Sequence, residues 1–173
     1  MTQPVQVLKT ERLILRQLGL ADAPFILRLL NEPSWLEFIG DRGVHTLADA
    51  ERYIEKGPIE MYGRLGFGLY HVRLAGGDEP IGMCGLLKRE ALDDVDLGFA
   101  FLPEFWGKGY AREAAAAVLS YARNSLRLSR IVAITTPNND ASRRLLERVG
   151  FELERSVRLG ADDEELLLYA NAA

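Results

Sequence analysis

Apolar residues recur along the chain with two periods, and the switches between them mark its elements. Leu13, Leu15 and Leu18 give an imperfect two-residue alternation that predicts a strand from Thr10 to Leu18. Asp22 then precedes Pro24 and a run at Phe25, Ile26, Leu29 and Leu30 with helical spacing, so Asp22 reads as the N-cap of a helix. Asn31, Pro33 and Ser34 are expected to stop it, leaving Trp35, Phe38 and Ile39 in a loop broken by Gly40 and Gly43. Thr46 reads as the cap of a second helix with Ala50, Tyr53 and Ile54 on one face, and Gly57-Pro58 as its interruption. The pattern then turns to strands at Phe67 to Ala75, Pro80 to Arg89 and Val95 to Leu102, the first two joined by a turn at Gly76-Gly77-Asp78. An Ala-rich helix follows from Gly109 to Leu126, then a β-branched strand, RIVAITT, from Arg130 to Thr136. Asn138 to Val149 reads as a helix with Gly150 at its C′ position. Phe151 to Leu159 and Glu165 to Tyr169 complete the set as strands around a polar turn. The order is that of an α/β domain with mixed strand directions rather than a repeated βαβ unit.

Composition narrows what such a domain does. A length of 173 residues suits a single domain, and 48% hydrophobic residues suffice to fill its core. Cys84 is the lone cysteine, so an internal disulfide and a cysteine-rich zinc site are excluded. His45 and His71 stand far apart, and no metal site is expected. The amino end, MTQPVQVLKTERL, lacks a basic start followed by an apolar run, and no apolar stretch approaches the roughly 20 residues that span a bilayer. A cytoplasmic protein without membrane contact is expected. The net charge of −4 makes nucleic acid an unexpected partner.

Candidate chemistry is densest in LPEFWGKGYAREAAAAVLSYA, which starts at Leu102. A strand ends, a short turn carries Gly107 and Gly109, and a helix begins at once. Glycines let a backbone approach a ligand closely, and the free N–H groups of a helix start attract an anion. Lys108 adds a positive charge beside them. The segment therefore reads as a pyrophosphate cradle, or as a glycine turn that does no more than cap a helix. Further on, TPNNDASRRLLERVGF places Asn138 or Asn139 as a helix cap at the end of a strand, where Asn138 is also suited to bonding an amide-bearing ligand.

WGKGYA at Trp106 to Ala111, followed by REA, and NNDASRRLLERVGF at Asn138 to Phe151 together resemble the GNAT acetyltransferase superfamily. The opening TERLILR, Thr10 to Arg16, and FIGDRGVHTLADAERYI, Phe38 to Ile54, resemble its RimJ/RimL-like branch of ribosomal-protein N-terminal acetyltransferases. The likeness runs over about residues 8–170. It implies one acetyltransferase domain, 1–173, of the α/β (α+β) class: a mixed, mostly antiparallel sheet of about seven strands, splayed in the middle and flanked by about four helices. It implies acetyl-CoA as cosubstrate, with the backbone of Trp106, Gly107, Lys108, Gly109, Tyr110 and Ala111 as pyrophosphate cradle. Phe99, Ala100 and Phe101 on the splayed strand, with Asn138, would meet the pantetheine arm. Trp106 stands where the family usually has Gln or Arg, so backbone amides must do most of the binding.

Direct transfer to an amine needs a proton acceptor, a donor to the developing oxyanion and a proton for the thiolate. Asp96 occupies a position where the family often has Glu and is the candidate base, or else one solvated carboxylate among Asp93, Asp94 and Asp96. A backbone N–H near Phe99 or Ala100 is the candidate oxyanion donor. Ser142 follows Asn138 by one helical turn and is the candidate general acid, or a plain helix residue; many relatives use a Tyr there. Cys84 in an apolar strand reads as a buried structural thiol rather than an acyl carrier. Trp35, Phe38, Arg42 and Tyr62 are the candidate acceptor-side residues, with core packing the competing role for Trp35 and Phe38. The acceptor is expected to be a primary amine, leaning to the N-terminal amine of a peptide or protein whose basic residues meet Asp93, Asp94 and Glu165. A small-molecule amine is the alternative, and a coenzyme A-binding module without turnover a further one. A monomer or homodimer fits equally.

Overall fold

The computed structural model describes residues 4–172; the extreme ends of the expected 1–173 domain, including the first residues of the stretch read against a leader, lie outside them. Eight strands form one sheet in the order β1-β2-β3-β4-β5-β6-β8-β7. These are β1 (Gln6–Lys9), β2 (Leu13–Gln17), β3 (Leu69–Leu74), β4 (Pro80–Leu87), β5 (Val95–Phe101), β6 (Arg130–Thr135), β7 (Glu152–Val157) and β8 (Leu166–Ala172). All neighbours are antiparallel except β5 and β6. The expected count of about seven strands is corrected to eight: β1 is a four-residue edge strand, too short and too exposed to print an alternation on the sequence.

The expectation of about four helices is also corrected. Six α-helices are present among the described residues: α1 (Ala23–Leu30), α2 (Pro33–Phe38), α3 (Leu47–Ile54), α4 (Glu60–Leu65), α5 (Tyr110–Asn124) and α6 (Asp140–Arg148). Pro33 does not merely stop α1; it opens α2 at a first-turn position, where its missing N–H has no helical acceptor to lose. Trp35 and Phe38 therefore lie on a helix rather than a loop. Gly57-Pro58 does not break the second helical run. Residues Glu55–Ile59 widen into a π-turn that absorbs Pro58 and carries α3 on into α4. Thr46 caps α3 in a reciprocal box: its hydroxyl accepts from Asp49 N–H at 3.1 Å and Asp49 accepts from Thr46 N–H at 3.1 Å.

The sheet's two faces are buried by different partners. Ala114, Ala115, Val118, Leu119 and Ala122 of α5 pack on Tyr70, Val72, Cys84, Leu86 and Leu97, with Leu146 of α6 in the same cluster. The small residues of α5 let the helix lie close to the strands. On the opposite face, Ile26, Leu29 and Leu30 of α1 and Ala50 and Ile54 of α3 cover Leu69, Met83 and Leu102. Alternation along β5 thus sends Leu97 and Phe101 toward α5, and Asp96 and Ala100 toward α1–α4. Among the described residues, no helix is long and apolar enough to cross a membrane.

Candidate active site

The parallel pair β5 and β6 is joined at its start, Val95 opposite Ile131 and Asp96 opposite Val132, and nowhere beyond. The strands part there, and the gap continues into a cleft of about 840 Å³. Leu102 N–H bonds Ile81 O on β4 at 2.9 Å. Backbone groups alternate in an antiparallel ladder, so those of Ala100 and Gly98 also face β4, and those of Leu97, Phe99 and Phe101 face the gap. Of the two residues expected to offer an oxyanion donor, Phe99 is therefore the one with a free N–H. Ala100 contributes its side chain to the wall. Phe101 O is taken by Trp106 Nε1 at 2.8 Å.

That bond ties the end of β5 to the turn that follows. Gly107 and Gly109 take φ of +74° and +82°, where a side chain would be strained. The first helical bond of α5 runs from Glu113 N–H to Gly109 O at 3.0 Å. Among the described residues, the N–H groups of residues 107–112 have no protein acceptor. Six donors converging on a helix start, with its dipole behind them, suit a pyrophosphate. Trp106, Gly107, Gly109, Tyr110 and Ala111 line the cleft. Lys108 does not: its ammonium lies 5.8 Å over the Phe105 ring, and Arg112 is the cation on this part of the wall.

Arg12, unforeseen in the sequence, braces this turn from β2's entry. Its guanidinium donates to Lys108 O at 2.9 Å and to Glu113 Oε1 at 2.7 Å, and lies 4.5 Å above the Tyr110 ring. Thr10 Oγ1 and Arg12 N–H both donate to Glu113 Oε2. TERLILR thus owes part of its pattern to the cradle rather than to a strand alone.

The other wall of the cleft comes from α1–α4. Trp35, Phe38 and Arg42 line it, and Trp35 Nε1 donates to Gly40 O at 3.1 Å. Tyr62 does not line it and is withdrawn from the acceptor set. Its hydroxyl accepts from Leu18 N–H at 3.0 Å and donates to Leu69 O, and its ring stacks on Tyr70 at 5.7 Å, so it serves the core. Tyr53 of α3 is on the cleft instead.

Asp96 sits at the floor, where the strands part. It is 1% exposed and faces the cleft. Oδ2 accepts from Arg89 Nε at 3.3 Å, while Oδ1 has no protein donor. Burial raises its carboxyl pKa above the ordinary value, and the Arg89 guanidinium opposes that only in part. The alternative of a solvated acid holds for Asp94, which pairs with Arg130 at 3.0 Å, not for Asp96.

On the far side, α6 begins at the end of β6. Asn139, not Asn138, caps it, accepting from Ser142 N–H at 3.2 Å. Asn139 and Ser142 line the cleft; Asn138 is exposed and does not, so the assignment moves by one residue. The doublet Asn138-Asn139 hides this register in sequence. Cys84 is wholly buried in the α5-side core, which raises its thiol pKa and keeps it away from the cleft. His71 is buried too, its pKa lowered to about 4 by desolvation, with Arg16 and Asp22 nearby.

Comparison with known proteins agrees with this geometry. The family described as "Acetyltransferase (GNAT) domain" matches residues 12–152. The uncharacterized N-acetyltransferase YoaA of Bacillus subtilis is 29% identical over 153 residues, covering 88% of this chain and 86% of that protein. An acetyltransferase structure from Agrobacterium tumefaciens superposes with a TM-score of 0.83 at 27% identity, covering 100% of this chain and 98% of that one. RimL, a ribosomal L7/L12 α-N-protein acetyltransferase solved with coenzyme A, shares the fold with a TM-score of 0.79 at 21% identity, covering 98% of each chain. The chain belongs to the GNAT family and is an acetyl-CoA-dependent N-acetyltransferase.

Proposed function

We propose that the protein transfers the acetyl group directly to a primary amine that enters between α2 and the floor of the splay. The observation that carries this reading is the buried carboxylate of Asp96 at the point where β5 and β6 part, lining the cleft and with one buried oxygen that has no protein donor. A carboxyl whose pKa is raised is a better proton acceptor than a solvated one, and it need take only one proton from an ammonium. Phe99 N–H faces the gap and donates to the acetyl oxygen as negative charge develops there. Ser142, in the first turn of α6, donates to the departing sulfur. Residues 107–112 hold the pyrophosphate through their amides, and Phe99 and Asn139 take the pantetheine.

Acceptor class is a separate matter. The expectation of a peptide amine, which rests on the RimJ/RimL-like opening and the segment from Trp35 to Gly63, adds that basic residues behind the N-terminus meet Asp93, Asp94 and Glu165. Asp94 is neutralised by Arg130, Glu165 lies 3.7 Å from Arg158, and none of the three lines the cleft. Support for basic residues behind an N-terminus is therefore removed, and a small-molecule amine becomes the better reading. The test is release of coenzyme A thiol across a panel of peptides and small amines, with Asp96→Asn alongside. Transfer that leaves no acetylated amine in the mass spectrum, or an Asp96→Asn enzyme with the parent's rate and pH profile, would overturn this proposal.

A further inference from the structure

The acceptor end of the cleft carries a charge pattern that selects among amines. Arg42, from the loop after α2, and Arg89, just past β4, both line it, together with Tyr53. Arg89 spends only Nε, on Asp96; its two terminal nitrogens make no hydrogen bond among the described residues. Arg42 has neither a hydrogen bond nor an ion pair among those residues. The one other acid on this wall, Glu32, stands 3.7 Å from Arg28. Arg89, with its terminal nitrogens unspent, thus adjoins a buried carboxylate that lines the cleft, and the equally unspent Arg42 lines the same cleft.

Resting on the reading that an amine is acetylated at Asp96, we infer that the acceptor is a free α-amino acid with an apolar side chain. Its amine is drawn to the Asp96 carboxylate, and its carboxylate is held by Arg89 and Arg42. The α-amine and carboxylate of an amino acid are separated by one carbon, which matches a site where a guanidinium adjoins a carboxylate at 3.3 Å. A diamine would bring its second ammonium against two guanidiniums. A peptide N-terminus has no carboxylate at that separation. Beyond the charges, Trp35, Phe38, Ile39 and Met61 form an apolar and aromatic surface that suits a hydrocarbon or aryl side chain. The transfer itself balances without a further reactant. The ammonium gives one proton to Asp96, its nitrogen bonds the acetyl carbon, the carbon–sulfur bond breaks, and the second nitrogen proton passes by way of Ser142 to the sulfur, which leaves as the coenzyme A thiol.

The experiment separates binding from turnover. Calorimetry of the coenzyme A-loaded protein is run with L-phenylalanine, L-phenylalanine amide, phenethylamine, spermidine and a tripeptide beginning with phenylalanine, and transfer to each is measured with acetyl-CoA. Saturable phenylalanine binding at least tenfold tighter than that of the amide or phenethylamine is expected, with the matching order in kcat/KM. Arg42→Met, on an exposed loop and outside the proton path, should erase that preference while leaving the KM for acetyl-CoA unchanged. Phenylalanine that binds through Arg42 but is not acetylated would sustain the anion subsite and sink the transfer reading. No saturable phenylalanine binding, tighter binding or faster turnover of spermidine or the tripeptide, or an Arg42→Met protein with undiminished preference for the carboxylate, each overturns the inference.

Discussion

The two halves of the cleft are built from different materials. On the proposed reading the coenzyme half is backbone: six amides at the head of α5, the edge of β5 at Phe99, and two glycines at positive φ. Side chains there act from behind, Arg12 on Lys108 O and Trp106 on Phe101 O. The acceptor half is side chain: aromatic residues of α2, Tyr53, two arginines and one buried carboxylate. Backbone recognition tolerates many sequences so long as the turn geometry survives. Side-chain recognition changes with each substitution, so the specificity of the enzyme is concentrated on the α1–α4 side.

If that division is right, variants should split cleanly by half. The largest effect is expected from Asp96→Asn, a fall in kcat on the order of 10²-fold or more if Asp96 is the sole base, with acetyl-CoA affinity preserved in calorimetry. In the parent the rate should rise with pH through a carboxyl pKa above the ordinary one, and that limb should vanish in the variant. Next is Gly109→Val. A β-branched residue at φ +82°, with its Cβ 3.2 Å from the Arg12 guanidinium, should weaken acetyl-CoA binding about tenfold or more. An unchanged Kd in a folded Gly109→Val protein would break the division at its strongest point. Trp106→Phe keeps a ring and loses one hydrogen bond, so a change in coenzyme Kd of roughly two- to tenfold is expected, with the acceptor KM unmoved. The smallest effect is on stability. A carboxyl raised by burial favours the fold when neutral, and that contribution is complete below the ordinary pKa and lost as pH climbs through the raised one. Asp96→Asn should therefore melt no lower than the parent at pH 7, with its relative advantage shrinking in acid, as followed by thermal unfolding.

The same division explains what the sequence disclosed. WGKGYA was legible because a backbone cradle needs glycines at fixed places, and glycine spacing survives in one dimension. Asp96 was singled out for a different reason, its place on the strand where the resembled family often has Glu. Arg89 and Tyr53 were not, since only the folded chain brings Arg89 to Asp96 and Tyr53 to the cleft. Arg12 was hidden by the strand pattern around it, and its contact with Glu113 spans 101 positions. Tyr62 was misplaced because an amphipathic tyrosine on a helix looks the same whether its hydroxyl reaches a cleft or a strand carbonyl. Here the π-turn at Pro58 sets the rotation of α4, and no periodicity reports a five-residue turn. The shift from Asn138 to Asn139 came from a doublet in which either residue caps equally well on paper.

Trp106 has one more consequence. The protein holds two tryptophans, and each belongs to a different half of the cleft: Trp35 is 7% exposed against the acceptor wall, and Trp106 is 53% exposed at the cradle. Indole emission shifts with the polarity around the ring, so the molecule carries a native optical reporter at each end of its reaction path. A coenzyme settling on the cradle covers Trp106 and moves the red, solvent-facing component of the spectrum. An amine seated beside Trp35 perturbs the blue component. With phenylalanine at position 106 the signal belongs to Trp35 alone, and the order in which the two substrates arrive can be watched by stopped-flow without attaching a dye.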